Sequence, residues 1–486
     1  MFIGGLDIGT TGCKLTIFDE NGKFVTNSYC EYKASRSGSA HELDGASVWE
    51  AVKQVIRGCV KDSGNIDAIG VTSFGETFVL LDENDNVLRN SLLYTDPRGG
   101  QQCDKLVQAV GKENIISTCG MLPHQMYSLP KAMWIKENEP DIFAKAKRIL
   151  LYEDFIVYML SGVAQIDYSL AARTMAFDIR KKSWDKDILK AADIDISLFA
   201  ECVPTGTVAG KVRSSVAEET GLSKDTLIVS GAHDQVASAV GAGVLDVNLA
   251  VDGIGTVECV TPVFDKIPTD PEFYDKGYAV VPYALEDTYC CYVLSYAGGA
   301  ATQWFKDTFK SHITDNPFGA LESEMPEEIT GILVLPHFAG AATPYMDIES
   351  KAAFVGLTLA TTQGEMYKGL LEGISYEMRL NIENTGFLNI DKLYATGGGS
   401  KSDKWMQIKA DILGVPYITL DAKEVGAAGT AMLTATATGV FTSLNEAKEK
   451  FVKEKAVFLP DMKKHEEYTK HYERYLGIYK AVRPLV

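Results

Sequence analysis

The chain has 486 residues, of which 46% are apolar, 10% aromatic and 23% charged. That balance excludes a disordered tail and a membrane bundle, and the length predicts a soluble globular protein of about two to four domains. With 47 Lys and Arg against 65 Asp and Glu the net charge is −18. Such a field repels phosphate backbones and anionic lipid surfaces, so neither nucleic acid nor a membrane is expected as partner and a small molecule is.

The nine cysteines show no C-x-x-C spacing, and the first residues carry neither a basic n-region nor a long apolar h-region. A reducing, cytoplasmic setting without disulfides or zinc is therefore expected. The longest apolar stretch, 236–251, is rich in Gly and Ala and holds Asp246 and Asn248, which suits a bilayer poorly.

In chain order, Phe2 to Ile8 predicts a strand, Gly9-Thr10-Thr11-Gly12 a tight turn and Cys13 to Phe18 a second strand. Asn21-Gly22 is a strong hairpin signal leading into a third strand from Lys23. The chain thus opens as an antiparallel meander. Its Gly/Thr turn joins two strands, whereas Rossmann and Walker loops join a strand to a helix, so those nucleotide folds lose ground.

Further on, Leu227-Ile228-Val229 predicts a buried strand, with Gly231-Ala232-His233-Asp234-Gln235 at its end and a helix from Gln235 to Val240. Leu249 to Asp252, Gly253-Ile254-Gly255-Thr256 and Val257 to Thr261 then repeat the opening strand, turn and strand about half a chain length after Asp7. Two similar halves, 1–244 and 245–486, would clasp a nucleotide between them. Met366, Leu370, Ile374 and Met378 recur at i+4, and Trp405, Ile408 and Ile412 at i+3 and i+7, predicting two core-facing helices. Near the end Tyr468, Tyr472, Tyr475 and Tyr479 form an aromatic stripe expected to pack.

The first turn, Asp7 to Lys14, reads as a phosphate grip. Glycines admit close backbone approach, hydroxyls and N–H groups donate, Lys14 adds charge and Asp7 suits a hydrated Mg²⁺. An ordinary hairpin turn is the alternative. Gly255-Thr256 and the cluster Thr396-Gly397-Gly398-Gly399-Ser400 add two more glycine-rich turns, which together favour the nucleotide reading. Asp234, at a strand end, fits either the base that phosphoryl transfer to an alcohol needs or the N-cap of the next helix. His233 reads as a satisfied strand-end histidine.

These motifs resemble those of the FGGY family of carbohydrate kinases over essentially the whole chain. Met126 to Asn138, with Lys131 and Trp134, is similar to the family's first signature; Ala352 to Leu357, continuing to Glu365-Met366 and Leu370-Leu371-Glu372, is similar to the second. The resemblance implies an α/β fold of two ribonuclease H-like, actin-like ATPase domains with an interdomain cleft, and ATP with Mg²⁺. Carried across by position, it implies Asp234 as catalytic base, Asp7 as the acid that organises Mg²⁺, and Thr10, Thr11, Gly12 and Lys14 as the first phosphate loop. It further implies Gly255 and Thr256 as the second loop, Gly299 and Gln303 as nucleotide contacts, and Gly398, Gly399 and Ser402 as the adenosine motif. The small-residue segment Glu424 to Thr438 resembles the helix beside the adenine. A homodimer stays open.

For the acceptor, the resemblance implies contacts at Gly75, Glu76, Asp96, Asp234 and Gln235. Glu76 and Asp234-Gln235 resemble glycerol kinases, but Gly75 stands where those carry Arg and Met126 where they carry a substrate Tyr. Xylulose kinases usually show Met-His at the Gly75-Glu76 position, while Asp96-Pro97-Arg98 is similar to the Asp-x-Arg of pentulose kinases. The expectation is an ATP-dependent kinase of a small ketose or polyol, with a pentulose such as xylulose favoured over glycerol and over a non-catalytic sensor.

Overall fold

The opening meander forms from local pairing: strand Phe2–Ile8 runs antiparallel to Gly12–Asp19, with Asp7 opposite Lys14, and Gly12–Asp19 pairs antiparallel with Phe24–Glu31. This computed structural model describes residues 1–309, 316–422 and 424–486. Ala68–Ser73 and Leu227–His233 extend the sheet in parallel, and Thr207–Lys211 closes it antiparallel. Both central strands are buried almost throughout, as parallel strands covered on two faces must be.

The second sheet repeats the succession. Tyr289–Cys291 and Val293–Ser295 pair antiparallel with Glu258–Phe264, which pairs antiparallel with Leu249–Ile254; Lys392–Thr396 and Tyr417–Leu420 follow in parallel, and Glu454–Phe458 ends the set antiparallel. The two halves differ in wiring at this last strand. Thr207–Lys211 precedes its neighbour in the chain, whereas Glu454–Phe458 follows its own.

Helix Val425–Ala437 joins the halves by lying across the first sheet. Gly5 sits under Ala427, Gly70 under Thr430 and Thr434, and Gly231 under Thr430, so a β-carbon at Gly5 would collide with the Ala427 carbonyl. The same helix crosses Asp234–Gly241 at Gly429 and Gly241, where a β-carbon on either would strike the other helix's backbone. Its small residues thus serve a close crossing between lobes, which explains a composition that hydrophobic periodicity does not.

In the second lobe, helix Gln363–Glu383 starts in a capping box between Thr362 and Glu365 and buries Leu370, Ile374 and Met378, leaving Met366 half-buried. The tyrosine stripe packs against it and also bonds it: Tyr468, Tyr472 and Tyr475 donate to Glu372, Glu383 and Glu377 at 3.2, 2.6 and 2.5 Å. Among the described residues no helix is long and apolar enough to cross a membrane.

Candidate active site

Strand Leu227–His233 ends at the cleft and helix Asp234–Gly241 starts there, with His233 at the cap position and no side-chain cap bond. Asp234 is therefore the first helical residue and not the N-cap. Its side chain is 37% exposed, yet Oδ1 is buried and has no hydrogen-bond partner. Desolvation, with the charges of Asp7 and Glu76 adding, pushes its pKa up to about 7.

Beside it, His233 is buried. Its Nε2 lies 3.4 Å from Asp234 Oδ1 and its Nδ1 2.9 Å from the hydroxyl of Tyr292, a residue of the second lobe. Burial and the nearby Arg173 charge hold the imidazole well below its usual pKa, hence neutral.

Glu76 adopts a left-handed backbone, φ 66°, and its carbonyl accepts from Ser128 Oγ at 2.6 Å. Arg173 Nε donates to Glu76 Oε1 at 2.6 Å, its Nη2 also reaches that oxygen, and Nη1 is buried without a partner. The guanidinium lies 5.2 Å from the Tyr127 ring and 5.4 Å from the Tyr292 ring, within cation–π range of both. Gly75 makes room for this: a β-carbon there would stand 3.1 Å from Arg173 Cγ and from the His233 ring.

Arg173, Tyr127 and Tyr292 were absent from the sequence-derived site. The one available signal was a lone charge within the apolar run Leu170 to Phe177, since a buried Arg calls for a partner.

Asp96 is buried and its carboxylate is saturated. It accepts from His41 N at 2.7 Å and from Arg98 N, Nε and Nη2 at 3.0, 2.8 and 2.6 Å. Burial raises its pKa, but the Arg98 and His41 donors win and hold it at about 2. The first signature supports the same loop: buried Lys131 donates to the Asp96 and Arg98 carbonyls at 2.6 and 3.3 Å, and Trp134 lies 5.0 Å under Arg98. In this structure Asp96 holds Arg98 and its loop. Gln235, next to Asp234, is half-buried at the cleft.

At the same edge of the first sheet, two strands over, Asp7 is half-buried and its carboxylate accepts no hydrogen bond from a described residue. Desolvation pushes it up to about 6, with Lys14 opposing and Glu424 reinforcing the shift. Thr10 and Thr11 face out of the first turn. Gly12 instead lies beneath Tyr29, where a β-carbon would meet the phenol, and Lys14 is bound to Glu424 at 3.0 Å across the lobes.

The other two glycine turns meet. Gly299 N donates to Gly255 O at 2.7 Å, Ala300 N to Thr256 O at 3.0 Å, and Gly397, at φ 83°, packs on the Ile254 carbonyl. Gly255, Thr256 and Gly398 are exposed, Gly399 half-buried against Trp405. Two side chains have local duties: Ser402 Oγ caps helix Asp403–Leu413, and Gln303 bonds Asp307 at 2.8 Å.

Asp252, which the repeat aligns with Asp7, is different. It is fully buried in a triad with Lys409, 3.0 Å away, and Glu258, so of this repeated pair of acids Asp7 is the one that is only half-buried.

Comparison with known proteins agrees with this architecture. The N-terminal domain model of the FGGY family of carbohydrate kinases matches residues 2–241, and the C-terminal domain model matches 278–438. A xylulose kinase of Bacillus subtilis is 27% identical across 100% of this chain and 98% of its own, and glycerol kinase 2 of Saccharolobus solfataricus is 28% identical across 96% and 94%. Crystal structures of a gluconate kinase and a ligand-bound xylulose kinase, both from Lactobacillus acidophilus, superpose with TM-scores of 0.90 at 25% identity, covering 99% of this chain and 98% of each of theirs. The duplicated sheets, the cleft between them and the two matched domain models show that the chain belongs to the FGGY family of carbohydrate kinases, phosphotransferases that use ATP and an alcohol acceptor.

Proposed function

We propose that the cleft transfers the γ-phosphoryl group of Mg·ATP to a primary hydroxyl of a ketose or polyol of about five carbons, with a pentulose such as xylulose as the favoured acceptor. The observation that carries this reading is Asp234 Oδ1, a buried and unpartnered carboxylate oxygen at the mouth of the cleft with a pKa near neutral. A base with that pKa is ionised near pH 7 and still able to take a proton, as general-base catalysis requires. Whole-length similarity to a xylulose kinase supports the pentulose.

In this reading Asp234 orients the acceptor hydroxyl and receives its proton, while Thr10, Thr11, Gly255 and Thr256 supply donors to the phosphates and Gly398 and Gly399 leave room for the adenosine. Asp7, free of protein donors, would hold Mg²⁺. Among the described residues no three His, Cys, Asp or Glu side chains form a metal cage, which suits a cation held by one or two carboxylates and phosphate oxygens. Bound Mg²⁺ neutralises charge on the phosphate oxygens. Closure of the lobes excludes water, the competing acceptor.

One observation favours a second acceptor, glycerol. Arg173 restores in space, from another part of the chain, the Arg beside Glu76 that position 75 lacks. A coupled assay of ADP release over xylulose, other pentuloses, hexuloses, alditols, gluconate and glycerol separates the two. The highest kcat/KM on a pentulose is expected. Preference for glycerol would favour the second reading, and no acceptor-dependent ADP release from any of them would reject both.

Two further results are expected. Turnover should rise with pH up to and through about pH 7, because Asp234 must lose its proton to act and its folded pKa is raised; a rise complete by about pH 5 would contradict the assignment. Arg173→Ala should raise the acceptor KM about 10- to 100-fold, the range for hydrogen bonds to charged groups, with the ATP KM little changed. An equal rise in both constants would assign Arg173 a purely structural role.

A further inference from the structure

We propose that Tyr292 and His233 are positioning residues: together they orient the Asp234 carboxylate and make that orientation depend on contact between the lobes. This rests on the reading of Asp234 as the proton acceptor. His233 ends strand Leu227–His233 in the first sheet, and Tyr292 lies between Tyr289–Cys291 and Val293–Ser295 in the second. The chain of contacts, Tyr292 Oη to His233 Nδ1 at 2.9 Å and His233 Nε2 to Asp234 Oδ1 at 3.4 Å, therefore crosses the cleft at the reacting group.

Each link is constrained. The His233 backbone N–H donates to buried Ser169 Oγ at 2.8 Å, and that hydroxyl donates to Asp167 at 3.0 Å, so the ring is mounted on a fixed support. The ring carries one proton, since burial and the Arg173 guanidinium oppose a second. Nε2 faces an acidic oxygen with no other partner, which places the proton there, and leaves Nδ1 to accept from the Tyr292 hydroxyl. Tyr292 is held in turn by its ring against Arg173, itself bonded to Glu76. In this arrangement neither His233 nor Tyr292 changes protonation. Without Tyr292 the imidazole loses one of the two partners that fix its tautomer, and Asp234 alone is left to hold the proton on Nε2.

The test uses the full-length chain with saturating Mg·ATP and xylulose, and with glycerol alongside. Tyr292→Phe removes one oxygen and His233→Leu the whole relay. Each is expected to lower kcat about tenfold or more, since small misplacements of a reacting group carry penalties up to about 10². ATP KM should change little. His233→Gln, whose amide N–H reaches the Nε2 position, should restore most of kcat.

In an Asp234→Asn background, adding Tyr292→Phe should cost about nothing further. Full turnover in Tyr292→Phe, or undiminished losses on top of Asp234→Asn, would overturn the relay. A fully active Asp234→Asn alone would instead overturn the base assignment, so the two failures are distinguishable. An acceptor-free measurement stands beside these: ¹⁵N NMR of the histidines at pH 7 should show His233 neutral with the proton on Nε2, and Tyr292→Phe should erode that preference. A proton on Nδ1 in the unmodified protein, or an imidazolium, would contradict the proposal.

Discussion

Asp234→Asn is expected to keep the fold and ATP binding while losing at least about two orders of magnitude in kcat, the lower end of what a positioned general base contributes. The substitution conserves shape, and the approach of His233 Nε2 to Oδ1 is long at 3.4 Å, so folding has little at stake. Chemistry has much at stake. An amide cannot take the acceptor proton, and the phosphoryl group then meets a neutral hydroxyl that remains a poor nucleophile. Acceptor-dependent ADP release, with ATP affinity measured separately, reads the effect; near-normal kcat with an intact fold would refute the assignment.

The second large effect concerns stability. Lys409, Asp252 and Glu258 are fully buried together, with Lys409 bonded to both acids and Tyr417 donating to Asp252 at 3.2 Å. Lys409→Met should destabilise by about 3–5 kcal/mol, because it strands two carboxylates without a counter-charge. The penalty should shrink as pH falls. Stranded acids have raised pKa values in the folded state, so they bind protons there that the unfolded chain has released, and stability declines as pH rises. Neutralising all three groups, with Asp252→Asn and Glu258→Gln added, should recover much of the loss. Denaturant unfolding at pH 5.5 and 8 checks this, and an unaltered midpoint at pH 8 would contradict it.

What could be read from the sequence was what neighbouring residues decide. The opening meander follows from alternation and from Asn21-Gly22, and the repeat of an acid and a Gly/Thr turn marked the duplication that the two sheets display. The tyrosine stripe was legible as packing, though its hydroxyl bonds to three glutamates were not, because those acids lie about 90 residues or more away in the chain.

Long separations also hid the rest of the site. Arg173 meets Glu76 across 97 residues, Tyr292 meets His233 across 59, and Lys14 meets Glu424 across 410. The four donors around Asp96 were not legible either, because a motif names a residue type and not its neighbours. Ser402 shows a milder form of the same limit, since Ser is also a favoured N-cap and helix Asp403–Leu413 uses it that way.

The most direct test is a structure of the protein bound to a non-hydrolysable Mg·ATP analogue and its acceptor. The account predicts an Asp234 carboxylate oxygen within about 2.6–3.2 Å of the acceptor hydroxyl that faces the γ-phosphate. A carboxylate turned away from that oxygen, with another side chain at hydrogen-bond distance in its place, would contradict it.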